Sequence, residues 1–309
     1  MRVAFVGGTN FVGPVSVRAL VAAGHEVAVA HSGAHEVEGL HHVEHVHGSR
    51  ADLLAPDGPV HCWRPDALVD TFAGGATAEK AAALSACAKR AGVRQIVAIS
   101  SIDVYQHCVD AGLADGSGAQ VFASDPVPLP ESARLREGPY PGGGPEHDNV
   151  AMEAALEGAP RITVLRPGAI YGPHPQVRES VFLEQIAKGE ATLLLPDGGT
   201  QLWHRVAVAR VANAVVAALE RSPDGFWACN AVDPYDWDYS GLAAQVAELL
   251  DWQWEPRRVE FSDADHPWQT SHPVLVSDRR LREQLGVTEP DPKEALAETV
   301  RFLWRVMSD

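Results

Sequence analysis

The stretch RVAFVGGTNFVG, residues 2–13, decides the fold of this chain. A short apolar run ends at Gly7 and indicates a strand that is buried on both faces. Residues 11–23 follow with helical spacing; Pro14 is compatible with a first helical turn, and Gly24 is a good C-cap. This stretch therefore predicts a strand, a tight turn and a helix, the unit from which parallel α/β sheets are built.

The turn between this strand and helix has the features of a phosphate-binding loop. Gly7 permits the tight turn, and Gly13 permits a close approach of the helix. Asn10 stands where a middle glycine is expected, and asparagine is the side chain that best tolerates positive φ. A glycine pattern alone is weak evidence, but its position after the first strand makes it specific. We therefore expect a dinucleotide pyrophosphate to bind here. The expected binding residues are Gly7, Thr9, Asn10, Phe11, Val12 and Gly13.

Strands and helices alternate beyond this unit. Further strands are predicted at 25–30, 41–48, 66–74 and 94–101, and an alanine-rich helix at 76–91. This order predicts an α/β fold, a Rossmann doubly wound parallel sheet with a smaller C-terminal substrate domain. Seven of the eight tryptophans lie from Trp203 onward, so we place the change near residue 172. Residues 1–172 would form the nucleotide-binding domain and residues 173–309 mainly the substrate domain, with some segments returning to the sheet.

Residues 106–148 interrupt the alternation with dense proline and glycine, as in GPYPGGGPEHD. Such a composition extends neither a helix nor a central strand. Long segments of this kind are often functional loops. We expect a mobile lid over the substrate site rather than a part of the core.

The residues after the second strand bear on the choice of cofactor. An acidic residue there would bind the ribose 2′-OH and favour NAD. The stretch from Ala30 to Gly33 has no carboxylate, whereas His31 and Ser32 are possible donors to a 2′-phosphate, with Arg50 in support. The sequence therefore slightly favours NADP(H) over NAD(H).

Five motifs together resemble one family. They are GGTNFVG (7–13), ISSIDVY (99–105), LRPGAIYGP (165–173), GFWACNAVD (225–233) and VSDRRLREQLGVTEPDPKEALAETVRFL (276–303). The chain resembles the extended and atypical short-chain dehydrogenase/reductases, the NAD-dependent epimerase/dehydratase group. The resemblance covers nearly the whole chain, and the motif at 165–173 is its most specific part.

The resemblance implies several site residues. Ser101 would be the catalytic Ser or Thr, with Ser100 beside it. The nicotinamide half of the cofactor would lie against Pro167, Gly168 and Ile170, and its ribose beside Phe72, Ala73 and Gly74. Residues 203–205 correspond to a segment that contacts nucleotide-sugar phosphates in the family.

The catalytic Tyr-x-x-x-Lys pair of that family is missing. Its two positions hold Pro145 and Asn149, which cannot do the same chemistry. The candidates for a replacement acid or base lie just before the start of the same helix, and Tyr140 and His147 are the best of them. Glu146 and Asp148 also lie there, although Asp148 and His147 can equally be solvated residues at a helix start, with Asp148 as its N-cap.

Three interpretations of the missing pair stay open. The chain could use another acid or base, catalyse a reaction that needs none, or bind a nucleotide without chemistry. We expect an NAD(P)-dependent reductase, epimerase or dehydratase acting on a hydroxyl or ketone carbon of a small metabolite, such as a nucleotide sugar or a secondary-metabolite intermediate. The alternative is a cofactor-bound isomerase, lyase or cyclase without redox chemistry, or a nucleotide-binding sensor.

Several histidines lie close together in the sequence: His35, His41, His42, His45 and His47. His45 and His47 would share one strand face. Metal sites need three or four converging ligands, and no cysteine or acid pattern completes one here, so no metal is expected.

Composition limits the partners. The formal charge of −16 repels nucleic acid and anionic lipid, so we expect a small-molecule substrate and neither nucleic acid nor a membrane as partner. The four cysteines form no C-x-x-C pair, which fits a reducing cytoplasmic location. A homodimer is compatible with the sequence.

Overall fold

The computed structural model describes residues 1–36, 39–72, 74–112, 125–141, 143–144, 146–174, 177–260, 270 and 272–308. The strands are β1 (Arg2–Val6), β2 (Glu26–His31), β3 (Glu44–His47), β4 (Ala67–Asp70), β5 (Gln95–Ile99), β6 (Arg161–Pro167), β7 (Ala169–Tyr171), β8 (Thr192–Pro196), β9 (Arg205–Ala207), β10 (Gly225–Ala231) and β11 (Glu255–Val259). The helices are α1 (Val12–Ala22), α2 (Arg50–Leu53), α3 (Pro59–Trp63), α4 (Ala78–Ala91), α5 (Gln106–Asp110), α6 (Asn149–Ala154), α7 (Ser180–Ala187), α8 (Val208–Arg221), α9 (Tyr239–Leu249), α10 (Arg279–Glu283) and α11 (Pro292–Ser308), with the short 3-10 helix η1 at Ile102–Val104.

Seven parallel strands form the central sheet in the order β10-β6-β5-β4-β1-β2-β3. The chain leaves β1 toward β2 and β3 on one side and returns to β4 on the other. The strand order therefore reverses between β1 and β4, the place where ligands bind in doubly wound sheets. The predicted Rossmann fold class is confirmed.

Helices cover both faces of this sheet, and this explains the unbroken apolar runs of its central strands. On one face α1 and α8 pack together, with Val17 and Val211 in one core cluster. On the other face α3, α4 and α6 bury Leu84 and Met152 in a second cluster. Strands β4 and β5 are buried along their whole lengths, as parallel strands with two covered faces must be.

A third core cluster lies beyond the carboxyl edge of the sheet and joins α7, α9 and α11. Small two-stranded sheets, β7-β9 and β8-β11, belong to this part of the molecule. Much of its tryptophan content is structural: Trp203 is buried in this cluster, and Trp252 and Trp254 pack against it. Strand β10 returns to the central sheet beside β6.

The expectation that residues 106–148 stay outside the core is wrong for helix α5, Leu129 and Arg136. Helix α5 is packed in the third cluster through Cys108. Leu129 is fully buried, and the Leu129 N–H donates to the Leu275 carbonyl. The side chain of Arg136 is also buried and donates to the Asp103 carbonyl. Proline and glycine here shape an irregular but packed segment; residues 113–124, Gly142 and Pro145 lie outside the described residues.

Candidate functional site

The glycine turn has the close packing that its sequence predicts. Gly7 has φ 78°, and its N–H donates to the Ala30 carbonyl at 2.9 Å. A Cβ on Gly13 would lie 2.6 Å from the Gly8 Cα, so only glycine lets α1 start this close to the turn. Phe11 precedes α1 with φ 42°. The first backbone N–H groups of α1 thus lie at the turn, where a helix N-terminus favours an anion.

His174, which follows β7, lies over this turn. Its Nε2 is 3.2 Å from the Asn10 Oδ1, and its ring centroid is 4.5 Å from that of Phe11. Burial lowers the pKa of His174, so the neutral ring donates to the amide oxygen. Asn10 and Phe11 therefore connect the turn to the segment that follows β7.

At the end of β2, the donors expected for a 2′-phosphate already have other partners. The His31 ring is buried and lies 2.9 Å from the His45 Nδ1. Burial lowers the pKa of His31 despite the nearby Glu36 carboxylate, which favours the neutral ring. Arg50 forms an ion pair with the fully buried Asp70, and its guanidinium also donates to the Lys80 carbonyl. Ser32 is exposed, and its hydroxyl accepts from the Ala34 N–H.

The residues that follow β4 lie next along the carboxyl edge of the sheet. Phe72 is buried beneath the Arg50 guanidinium, which lies 5.1 Å from its ring centroid, so its side chain belongs to the core. Gly74 is exposed with φ 76°, and Ala73 lies outside the described residues. Lys80 Nζ donates to the Gly74 and Gly75 carbonyls at 2.7 and 3.1 Å. This lysine holds the turn beside Glu146, whose carboxylate is 3.3 Å away.

An aspartate–histidine pair occupies the space between η1 and α6. The His147 Nε2 lies 2.6 Å from the Asp103 Oδ2, with the side chains 36% and 9% exposed, respectively. The hydrogen bond to Asp103 raises the pKa of His147, and burial opposes this only in part. Asn149 donates to both Asp103 oxygens at 3.1 and 3.2 Å. The Asp103 carboxylate is thus oriented from two sides, and His147 can hold a proton near neutral pH.

Tyr140 lies against this pair, with its ring centroid 5.1 Å from that of His147. Burial raises the pKa of Tyr140 well above its usual value, and the Asp103 carboxylate adds to this effect. The phenol therefore donates hydrogen bonds at neutral pH and does not act as a base.

Arg178 interacts electrostatically with Tyr140 and was not among the residues expected from the sequence. Its guanidinium stacks on Trp203 at 3.4 Å from the ring centroid, and burial lowers its pKa to about 10. The Nη1 atom is buried and has no hydrogen-bond partner among the described residues. A cationic donor of this kind is available to an anionic ligand.

The two serines after β5 differ. Ser100 is buried and donates to the Glu153 carboxylate at 2.6 Å, so its hydroxyl is engaged in the core. Ser101 is half-buried, and its hydroxyl accepts from the Asp103 N–H at the start of η1. Ser101 thus stands two residues before the aspartate that holds His147.

The residues expected against the nicotinamide end or follow β6. Pro167 and Gly168 are buried, while Ile170 is partly buried in β7. A Cβ on Gly168 would lie 2.3 Å from the His204 carbonyl oxygen, so only glycine allows the two backbone segments to pass this close to each other.

The 203–205 segment does not offer a free cation to a phosphate. Arg205 is fully buried between Glu179, at 2.7 Å, and Asp236, at 2.5 Å. His204 is also buried, and its ring nitrogens lie against the backbone of Asp233 and Val276. These charges and donors stabilise the fold of this region.

Ser101, Tyr140 and His147 were predicted as site residues from the sequence. Asp103, Lys80 and Arg178 were not predicted. Asp103 stands inside the quoted motif ISSIDVY, at a position where the motif gives no residue preference. Its partner His147 lies 44 residues later, so only the tertiary fold reveals the pair. Asp148 is the N-cap of α6, accepting from the Ala151 N–H at 3.1 Å, as predicted. Pro145 lies outside the described residues.

Solved structures of similar fold include complexes with nucleotide sugars, with UDP and with NAD. The UDP-glucose 4-epimerase of Thermotoga maritima, solved with UDP-glucose, is 18% identical with a TM-score of 0.74, covering 99% of this chain and 100% of that one. MoeE5 in complex with UDP-glucuronic acid and NAD is 17% identical with a TM-score of 0.73 at the same coverage. WbmG of Bordetella bronchiseptica, in complex with NAD and UDP, is 14% identical with a TM-score of 0.73, over 99% of this chain and 96% of that one.

At these identities the comparisons show the fold alone. No protein-family model matches the sequence, and no curated protein matches it significantly. Among the described residues, no helix has the length and apolar character needed to cross a bilayer.

Proposed function

We propose that this chain binds a nicotinamide dinucleotide across the carboxyl edge of its sheet and acts on a hydroxyl or ketone carbon of a small metabolite, as a reductase, epimerase or dehydratase. The observation that carries this proposal is the Asp103–His147 pair. It lies at the mouth of α6, the helix on which the family that the chain resembles holds its catalytic tyrosine. The pair supplies an acid and base where Pro145 and Asn149 cannot.

The proposed roles of the residues are as follows. A bound nicotinamide dinucleotide would be held by the turn from Gly7 to Gly13 and would supply hydride transfer at the substrate carbon. His147, whose pKa is raised by its hydrogen bond to Asp103, gives a proton to a ketone oxygen and takes it back in the reverse direction. Ser101 and the Tyr140 phenol are the hydrogen-bond donors proposed to polarise the same oxygen. Asp103 is a positioning residue because it acts through His147.

The proposed substrate carries an anionic group, and a nucleotide sugar fits best. Arg178 supports this, because its buried Nη1 has no hydrogen-bond partner among the described residues and its guanidinium interacts electrostatically with Tyr140. The UDP-sugar complexes of the similar structures support the same class. Arg205, which the sequence placed near the phosphates, is neutralised by two carboxylates and is not assigned this role.

We further propose NAD(H) as the cofactor, which revises the slight preference for NADP(H) drawn from the sequence. His31 and Arg50 are engaged with His45 and Asp70, so Ser32 is the one exposed side chain among the three expected donors. A 2′-phosphate could bind through His31 or Arg50 only by displacing one of these contacts. The similar structures solved with NAD point the same way.

The test is a calorimetric titration of the purified protein with NAD⁺, NADH, NADP⁺ and NADPH, followed by a panel of UDP- and TDP-sugars assayed for products. Gly13→Asp should abolish dinucleotide binding by clash and repulsion. Because that variant risks misfolding, Asn10→Asp, at an exposed position of the turn, serves as a second probe. Unchanged dinucleotide affinity in a folded Asn10→Asp and Gly13→Asp would contradict the proposed site.

A second candidate function is a cofactor-bound isomerase, lyase or cyclase without net redox chemistry. The observation that favours it is Asn149, which stands at the lysine position and uses its amide to hold Asp103. Because the Asn149 amide is uncharged, it cannot stabilise a phenolate as the lysine of the family would. Conversion of a substrate with no transient nicotinamide absorbance change in a stopped-flow experiment would favour this candidate.

A further inference from the structure

Three histidines and one glutamate converge at the edge of the sheet, away from the Asp103–His147 pair. His31 ends β2, and in the parallel register it is paired with His47, which ends β3. His45 lies two residues before His47 on the same strand face. Glu36, from the turn after β2, completes the group. One ligand atom from each of these four residues, the histidine cluster, lies within 4.8 Å of the others.

The separations within the cluster are those of ligands around one ion. The His47 Nε2 is 2.8 Å from the Glu36 Oε1, and the His45 Nδ1 is 3.3 Å from the Glu36 Oε2. The His31 Nε2 is 2.9 Å from the His45 Nδ1. Ligands at about 2.0–2.1 Å from a tetrahedral ion lie roughly 3.3 Å from one another. Small side-chain rotations therefore bring all four atoms to one centre.

The second shell prepares His45 as a ligand. Its Nε2 lies 3.1 Å from the Leu40 carbonyl, which can accept its N–H. This leaves the Nδ1 lone pair directed into the cluster, the arrangement common to metal-binding histidines. At present that lone pair accepts the proton of the His31 Nε2, because His31 Nδ1 accepts from the Gly33 N–H at 3.2 Å.

Metal binding would require His31 to carry its proton on Nδ1 instead. The Gly33 N–H would then turn away, which is feasible because Gly33 is exposed in a turn with φ 80°. His31 is the buried member of the cluster, whereas Glu36 and His47 are each about half exposed. The cluster is therefore anchored in the protein at His31 and open to solvent at Glu36 and His47, the side from which an ion can enter.

We propose that His31, Glu36, His45 and His47 bind one divalent transition-metal ion, with Zn²⁺ the best fit. Imidazole nitrogens with one carboxylate oxygen are a common zinc donor set, and they disfavour Mg²⁺ and Ca²⁺, which prefer all-oxygen ligands. No acid pattern that completes a site was recognised in the sequence, whereas in the fold the turn after β2 supplies Glu36. The proposal does not rest on the proposed function, since every ligand lies outside the acid–base pair.

The test uses the full chain without a histidine tag, stripped by a chelator, and titrated with Zn²⁺ by calorimetry and with Co²⁺ by visible absorption. We expect one ion per chain and an intense tetrahedral Co²⁺ spectrum. Glu36→Gln and His47→Ala change half-exposed side chains and should leave the fold intact. Each should weaken Zn²⁺ binding about 10–100-fold or more, because even outer-shell changes have effects of that size.

The chain offers a matched control in the double variant His41→Ala/His42→Ala, which removes two exposed histidines outside the cluster. It should keep wild-type affinity and the Co²⁺ spectrum. Zn²⁺ should also raise the melting temperature of the wild type and the control but not of His47→Ala. The proposal is overturned if Zn²⁺ does not bind at millimolar concentration, or if the control weakens binding as much as the cluster variants do.

Discussion

Two acid–base contacts at the carboxyl edge of the sheet differ in what surrounds them. Arg166 and Glu153 form an ion pair at 2.6 Å in which both side chains are only 4% exposed. Ser100 donates to the same glutamate and Arg166 donates to the Tyr105 hydroxyl, so the pair is enclosed in hydrogen bonds. Asp103 and His147 are equally close, yet His147 is 36% exposed.

The difference separates structure from chemistry. A buried pair whose atoms are all engaged fixes packing and has no capacity left for a ligand. A half-exposed pair that includes an imidazole can exchange a proton with solvent or substrate near neutral pH. Changes at Glu153 should therefore affect stability, whereas changes at His147 and its surroundings should affect turnover.

The largest effect on stability is expected from Glu153→Ala. Removing the carboxylate leaves the buried Arg166 guanidinium without its charge partner, and breaking such a pair costs about 3–5 kcal/mol. Chemical denaturation should show this loss in the free energy of unfolding. Glu157→Ala, at an exposed position after α6, is the matched control and should stay within about 0.5 kcal/mol of wild type. Equal losses in both variants would mean that the network is not a structural centre.

The largest effect on catalysis is expected from His147→Gln. Losing a general acid typically lowers the rate about 10²–10⁴-fold, so kcat should fall in that range on a substrate found in the nucleotide-sugar panel. His42→Gln, exposed and remote, should keep wild-type turnover. Because His147 is partly exposed, its loss should lower the melting temperature less than Glu153→Ala does. A His147→Gln variant that turns over at the wild-type rate would remove the residue from the mechanism.

A smaller effect is expected from Arg178→Met. A charge-assisted hydrogen bond is worth about 1.5–3 kcal/mol, so KM for an anionic substrate should rise about tenfold or more with a smaller change in kcat. Arg301→Met, at an exposed position of α11, is the control. If a neutral analogue of the same substrate loses as much affinity as the anionic one, Arg178 acts through packing on Trp203 and not through charge.

The first half of this fold could be predicted because its signals are local. The strand before Gly7, the turn and the helix after it are each encoded within a few residues, and the structure confirms them at 2–6 and 12–22. The prediction for the proline- and glycine-rich segment was wrong, because composition indicates how a backbone bends but does not indicate whether side chains such as Leu129 and Arg136 are buried. The packing of that segment depends on distant partners such as Leu275.

The site was predictable only in part for the same reason. His147 and Tyr140 were found from their place before a helix, but Asp103 becomes a partner only through the fold. Arg50 and His31 were expected to be free donors, and burial of Asp70 and the register of β2 and β3 gave them other partners. The register that engages His31 also assembles the histidine cluster, which no local pattern encodes.

The most direct test of the account is the pKa of His147, because it needs no substrate. The bond to Asp103 raises this pKa, so the charged pair adds to stability below pH 6.5 and this contribution fades as pH rises through the folded value. An NMR titration of the imidazole, assigned by its loss in His147→Gln, should give a midpoint above 6.5 in the wild type. The same titration in Asp103→Asn should give a clearly lower midpoint. A wild-type midpoint at or below 6.5, unchanged by Asp103→Asn, would contradict the claim that this pair is the acid and base of the site.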